Sequence, residues 1–253
     1  MSAKSTLLTI GTAALLTQSL TAGTITIPTV IRDFAQPALP GYSAHPDFEA
    51  TIAGVETGAV SSTLGLDGKP VFAAGGASFS NAANFNQWYN NTPGVNMSTS
   101  YPLVLTEGAP GVYGFSSSSF FPIDNALLGN QGNAHNYHFT LELHSVFTYQ
   151  PGQTFNFTGD DDLWLFINNS LVVDIGGIHS AASGSVNLDT LGLTPGNDYK
   201  FDLFFAERHL TQSNFKMEIA GIVLRPSVPD SGSMLGMTGI ALGLLAVARR
   251  RNA

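Results

Sequence analysis

The chain has 253 residues, 10 of them basic, 18 acidic and none cysteine. Thiol catalysis and cysteine-based zinc or iron–sulfur sites are excluded. All eighteen acidic residues fall within 24–230, against six basic ones, Arg32, Lys69, Lys200, Arg208, Lys216 and Arg225. Such a surface repels a phosphate backbone, so nucleic acid is not an expected partner, whereas divalent cations or neutral glycans suit it.

In chain order, Lys4 and the apolar stretch Leu7 to Leu16 have the make-up of a secretory signal. Thr21, Ala22 and Gly23 offer a signal peptidase its small residues, so residues 1–23 are expected to be removed. Residues 24–130 are loosely patterned. Phe85 to Tyr89 reads as a short helix leading into the turn Asn90 to Gly94, and Ser116 to Ser119 as a loop. From His138 to Tyr149 apolar and polar residues alternate, the period of a half-buried strand. Pro151-Gly152 turns the chain and a strand starts at Thr154. Leu163 to Ile167 and Leu171 to Ile175 flank Asn168-Asn169-Ser170, a hairpin signature. Tyr199 to Ala206 and Asn214 to Leu224 read as a further strand pair across the loop Glu207 to Ser213. The chain closes with Val228-Pro229-Asp230-Ser231-Gly232, an apolar run from Met234 to Val247, and Arg249-Arg250-Arg251. With its small flanking residues the run nearly reaches the ~20 residues a spanning helix needs, and the arginines mark its cytoplasmic side. One all-β domain over 24–227 is expected, between a signal peptide and a tail over 228–253.

The residues that carry chemistry cluster around Gly159-Asp160-Asp161-Asp162. Three adjacent carboxylates repel one another unless compensated. A solvated acidic turn is one reading; a hard, oxygen-seeking cation such as Ca²⁺ is the other. His179, Glu207, Arg208 and His209 sit in loops after strands. They are read either as lining a sugar pocket or as a Glu207–Arg208 pair beside a hydrogen-bonded histidine. Trp164 lies in an apolar strand and reads as core. Trp88, beside Tyr89 and a Pro-Gly turn, is the better candidate for an exposed sugar-stacking platform. His138, Glu142 and His144 share a strand face, but residues six apart lie about 20 Å from each other at ~3.3 Å per residue, so no single zinc ion joins them. No Gly-x-Ser-x-Gly, His-Glu-x-x-His or P-loop pattern occurs. A glycosidase would need two separated carboxylates, and only Glu142 or Glu207 could join the Asp cluster in that role.

Two resemblances add to this reading. Residues 228–251 resemble the VPDSG variant of the PEP-CTERM sorting signals of Gram-negative bacteria, with pentapeptide, apolar helix and basic end in order. That resemblance implies export, transient insertion in the inner membrane, cutting by an exosortase-type protease, and delivery to an exopolysaccharide-rich surface or matrix. The segment Phe157 to Asn168 resembles the core of the fibro-slime domain, a relative of the PA14 β-sandwich. Ordered blocks from Ile31-Arg32-Asp33-Phe34 and His45-Pro46-Asp47-Phe48-Glu49 to Phe204 through His209 and Ser213-Asn214-Phe215 extend it over about residues 29–222. The resemblance implies an antiparallel sandwich with an irregular N-terminal elaboration. It also implies a Ca²⁺ ion held by Asp160 and Asp161, completed by a loop asparagine matched to Asn214, with sugar hydroxyls on the ion. Asp162 departs from the pattern, which usually has a small residue there. Trp88, His179, Arg208 and His209 are then candidate sugar contacts. The function expected is a Ca²⁺-dependent, carbohydrate-binding surface module for adhesion. A ligand-free matrix protein is the alternative, and a polysaccharide-cleaving enzyme using Glu207 or Asp162 a weaker one.

Overall fold

The computed structural model describes residues 23–74, 76–221 and 224–226. The signal stretch, the Val228–Gly232 motif, the apolar run and Arg249 to Arg251 lie outside the described residues. Among the described residues no helix is long and apolar enough to cross a membrane.

Eleven strands run in chain order: β1 (Thr24–Phe34), β2 (Asn96–Ala109), β3 (Val112–Ser117), β4 (Phe139–Thr148), β5 (Thr154–Asp160), β6 (Asp162–Ile167), β7 (Ser170–Ile175), β8 (Ala182–Asn187), β9 (Asp198–Glu207), β10 (Asn214–Ala220) and β11 (Arg225–Pro226). Hydrogen bonds link them antiparallel in the order β7-β6-β9-β4-β1-β2-β3-β10-β5-β8, with β11 on β4. The sheet folds over between β1 and β2, so the half ending in β7 packs on the half ending in β8. Ring contacts across the fold, Phe155 with Phe201 and Phe205 with Phe215, carry that packing.

Period-two patterning accounts for the inner core. Phe139, Leu141 and Leu143 of β4, Leu163, Leu165 and Ile167 of β6, Phe201, Leu203 and Phe205 of β9, and Phe215, Met217 and Ile219 of β10 meet in one cluster. β6 and β9 are apolar on their other faces too. Trp164, Phe166, Phe204 and Ala206 form a second cluster with Val60, Phe79, Phe85, Trp88 and Tyr89. The N-terminal segment is therefore a lid over the outer face of β6 and β9. The hairpin at Asn168-Asn169 is present, both residues having positive φ.

Two expectations are corrected here. The short helix spans Ala82–Phe85, not Phe85 to Tyr89. The Asn81 side chain caps its start by accepting from the Asn84 N–H at 3.0 Å. The strand pair expected across Glu207 to Ser213 is absent: β9 pairs with β4 and β6, β10 with β3 and β5. With both faces apolar, β9 takes a central place under the lid. β10 has one apolar face and joins the layer that meets solvent.

Candidate functional site

The chain changes layers twice at one edge of the sandwich. It leaves β5 for β6 at Asp160–Asp161, a cis peptide, and leaves β9 for β10 through residues 208–213. Asp160 and Asn214 face each other as the last ladder pair of β5 and β10. Asn214 Nδ2 donates to Asp160 Oδ2 at 2.7 Å. Asp161 Oδ1 accepts the His179 N–H and Oδ2 the Arg208 N–H, both at 3.0 Å, while its own N–H reaches Ala206 O at 3.1 Å. The Asp161 carboxylate thus ties the loops after β7 and β9 to one point.

Burial dominates the electrostatics. It pushes the Asp161 carboxyl up to about 8, against the opposing pull of Arg208, and raises Asp160 as well. Glu207 is 1% exposed and is raised further, first by burial and then by the charges of Asp161 and Asp160. Its Oε1 accepts the His209 N–H at 3.1 Å, and the Ser213 hydroxyl lies close enough to oppose the rise. His179 Nε2 and His209 Nδ1 are buried without partners. Each unsatisfied buried polar atom costs roughly 1–3 kcal/mol.

Asp162 stands apart from its neighbours. Its Oδ1 accepts the Gly177 N–H at 2.6 Å and Arg208 Nη2 at 3.2 Å, and its Oδ2 accepts Arg208 Nε at 2.6 Å. Only glycine fits at 177, where φ is +105° and a Cβ would collide with the Gly54 carbonyl. The ion pair is completely buried.

The residues named from the sequence divide accordingly. Asp160 and Asn214 meet directly, Asp161 follows in the chain with His179 bonded to it, and His209 turns instead to Glu49. Arg208 is corrected: it lines no open pocket. Nη1 donates to Asp47 O at 2.9 Å and Ser78 O at 2.7 Å, and Nη2 to Ser78 Oγ at 3.0 Å, in addition to Asp162. Its guanidinium lies over Phe79 and Trp88, 4.8 and 4.6 Å from the ring centroids. Its partner is Asp162, not the adjacent Glu207. Trp88 is corrected too. It is 0% exposed, donates Nε1–H to Asp47 Oδ2 at 3.0 Å, and packs on Phe85 and Trp164. It is core because the outer faces of β6 and β9 need an aromatic cover. His179 keeps its ring Nδ1 on Ser180 O at 2.8 Å, and His209 Nε2 lies 3.4 Å from Glu49 Oε2.

The shared strand face of β4 holds no zinc set. His138 pairs with Glu49 at 2.8 Å, whereas Glu142 meets Arg32 at 2.7 Å, Lys69, and His144 at 2.7 Å. His144 also reaches Asp202 at 2.6 Å. Burial opposes both charges there, yet the His144 bond and the two cations take Glu142 down to about 2. The bonds to Asp202 and Glu142 lift His144 to about 9.

Glu207 is the site residue that sequence reasoning underweighted. The sequence presents it as a pocket-lining residue, an arginine partner or a catalytic acid, and the signal for its burial is an acidic residue closing a strand otherwise buried on both faces. Among the described residues no three His, Asp or Glu side chains form a ready-made metal cage. The donors that do converge are oxygen-rich: two adjacent carboxylates and an amide whose oxygen becomes available when it turns over. That donor set fits Ca²⁺ better than a nitrogen- or sulfur-seeking ion.

The fold is an all-β module, and its C-terminal part is similar to the PA14 domain. Residues 123–231 match the PA14 domain and residues 227–251 the VPDSG-CTERM motif, so the chain carries both. A tail of this kind marks a bacterial protein for export and the cell surface. Among curated relatives, Protein psiR of Dictyostelium discoideum is 46% identical over 209 residues, covering 75% of this chain and 21% of its own length. Protein psiQ is 41% identical over 211 residues, covering 77% and 21%, and Protein psiC is 40% identical over 193 residues, covering 68% and 37%. The chain therefore spans only 21% to 37% of the length of these relatives. Among solved structures, the PA14 domain of the MpAFP antifreeze protein aligns with TM-score 0.33 at 12% identity, over 50% of this chain and 77% of that one. A β-glucosidase from Kluyveromyces marxianus in complex with glucose aligns with TM-score 0.25 at 12% identity, over 41% and 12%.

Proposed function

We propose that the chain is a surface-sorted, Ca²⁺-dependent glycan-binding module that acts by binding and not by catalysis. One observation carries the reading. Asp160 and Asp161 lie buried at one sandwich edge beside Asn214, and the Arg208 side chain, although it pulls on Asp161, makes its ion pair with Asp162 instead. Buried carboxylates without a counter-charge are costly, and a divalent ion in oxygen coordination relieves them. Asp160, Asp161 and Asn214 would hold the ion, and it would supply open coordination positions for vicinal sugar hydroxyls. A neutral ligand is the expected one, because the acidic surface of the module repels an anionic glycan. Lys216, two residues along β10 from Asn214, lies 3.8 Å from Glu218, farther down the strand.

Residues 24–227 would form the binding domain. The signal stretch would be removed by a signal peptidase and the tail by an exosortase-type protease, leaving the module in an exopolysaccharide matrix. A ligand-free structural role is the second reading. Both Asp161 oxygens already accept backbone N–H groups, an arrangement that also serves purely to staple loops. Catalysis is disfavoured because Asp162, one of its candidate acids, is locked to Arg208.

A panel of immobilised neutral and acidic glycans separates the readings. Binding to neutral glycans in Ca²⁺ that disappears in chelator is the expected result. No retention on any glycan in either condition would leave the structural role.

A further inference from the structure

Phe120 and Phe121 diverge beside the edge that carries Asp160 and Asn214. The Phe120 N–H donates to Ser213 O at 3.0 Å, and Ser119 bridges Ser213, the residue before Asn214. Phe120 turns inward onto Phe215 and Phe205. Phe121 turns the other way. Its ring stacks on His135 with centroids 4.0 Å apart and planes 7° from parallel, and it is T-shaped to Tyr137 at 4.9 Å. Tyr137 lies 5.8 Å from His135, so the three distances place it to the side of the stack and not over the imidazole face turned away from Phe121. All three residues are half-buried, and 37% of the His135 side chain is open to solvent. Asp124 holds the imidazole in place, with Oδ2 2.7 Å from Nδ1 while its Oδ1 accepts the Asn136 N–H at 2.8 Å. Nε2 has no hydrogen-bond partner among the described residues.

We infer that Phe121, His135 and Tyr137 form a stacking platform for a neutral pyranose ring, the part that buried Trp88 does not play. This rests on the glycan-binding reading above and adds to it a contact that needs no ion. An aromatic face is electron-rich and attracts the polarised C–H groups that a pyranose presents on one side of its ring. His135 is fixed from two sides, by Phe121 and by Asp124, so little side-chain freedom is lost when a sugar settles on it. Its Nε2, at the rim of the open face, can bond a ring hydroxyl. The platform reaches the Asp160–Asn214 edge through the Phe120–Ser213 bond, so one glycan chain can lie across both.

The test measures binding to immobilised neutral homopolymers of glucose, galactose and mannose in Ca²⁺ for wild type, His135→Ala and His135→Phe, with a melting curve for each. His135→Ala should bind the polymer that retains wild type about tenfold more weakly, the loss of one stacked ring, at an unchanged melting temperature. His135→Phe keeps the aromatic face and should recover most of that binding. Equal binding by wild type and His135→Ala overturns the inference. So does a loss of binding matched by a fall in melting temperature, the mark of a ring that only holds its loop, and so does no recovery in His135→Phe. If His135→Ala does not fold, His135→Gln decides, because its amide can still reach Asp124 while offering no ring: binding equal to wild type overturns the platform. Wild type retained by none of the three polymers defeats the glycan reading itself, and so distinguishes the two failures.

Discussion

Arg208 shows how one side chain can be misjudged from its neighbours in sequence. Next to Glu207 and His209 it looks like a ligand-facing cation. In the fold every donor is spent on Asp162, Asp47 and Ser78, behind two aromatic rings. Removing one partner of a buried ion pair strands the other, at a cost of about 3–5 kcal/mol. Arg208→Ala should lose at least that much in denaturant unfolding, and Arg208→Lys should also fail to restore stability, lacking the planar fork. A loss under 1 kcal/mol would contradict the assignment. Glu142 and His144 make a second residue-scale statement. Glu142 is held near 2 against an ordinary 4.5, so its contribution is present above 4.5 and lost as pH falls through 2. His144 is held near 9 against 6.5, so its contribution is present below 6.5 and lost as pH rises through 9. The stability gap between wild type and His144→Ala should therefore be widest between about 4.5 and 6.5 and close towards 9. A gap that widens above pH 7 would refute the network. Asp33 works with the opposite sign. Burial lifts it to about 7, its Oδ2 accepts from Leu128 and Asn136, and its Oδ1 is without a partner, like Asn136 Oδ1. Stability from this group falls as pH rises from 3.8 to about 7. Asp33→Asn, which can donate to that orphan oxygen, should melt higher than wild type at pH 8; a lower melting point there would show that the charge is wanted.

At the scale of elements, the strands from 139 onward were legible because one-face burial imposes alternation, and β4 obeys it residue by residue. The Asn168-Asn169 turn was legible because those residues tolerate positive φ. What stayed hidden was the partner of each strand. Nothing local distinguishes a hairpin across 208–213 from a crossing between layers; the distinction lies in β9 being apolar on both faces and β10 on one. The same fact, followed through, would have placed Trp88. Leu163 to Ile167 is an unbroken apolar run, and its second face demands a cover, which Phe79, Phe85 and Trp88 provide. Truncating that cover should cost as much as a core deletion. Trp88→Ala is expected to destabilise by about 3–5 kcal/mol, read from chemical unfolding. A surface tryptophan would cost under 1 kcal/mol, and that outcome would return Trp88 to the ligand-facing side.

At the scale of the molecule, the chain is a sandwich closed on one outer face by the segment between β1 and β2, with Asp160, Asp161 and Asn214 at one edge. Asp160 and Asp161 were visible in the sequence because three consecutive aspartates between apolar strands are hard to explain otherwise. Glu207 and Ser213 were not, since only the layer crossing brings them there. The central claim is that this edge holds Ca²⁺. Calorimetric titration of Ca²⁺ into the purified, chelator-washed protein, wild type beside Asp160→Ala, tests it most directly. Wild type should bind at micromolar concentration, and Asp160→Ala should lose that binding with its melting curve in chelator unchanged. Absence of binding to wild type, or equal binding to both proteins, would contradict it.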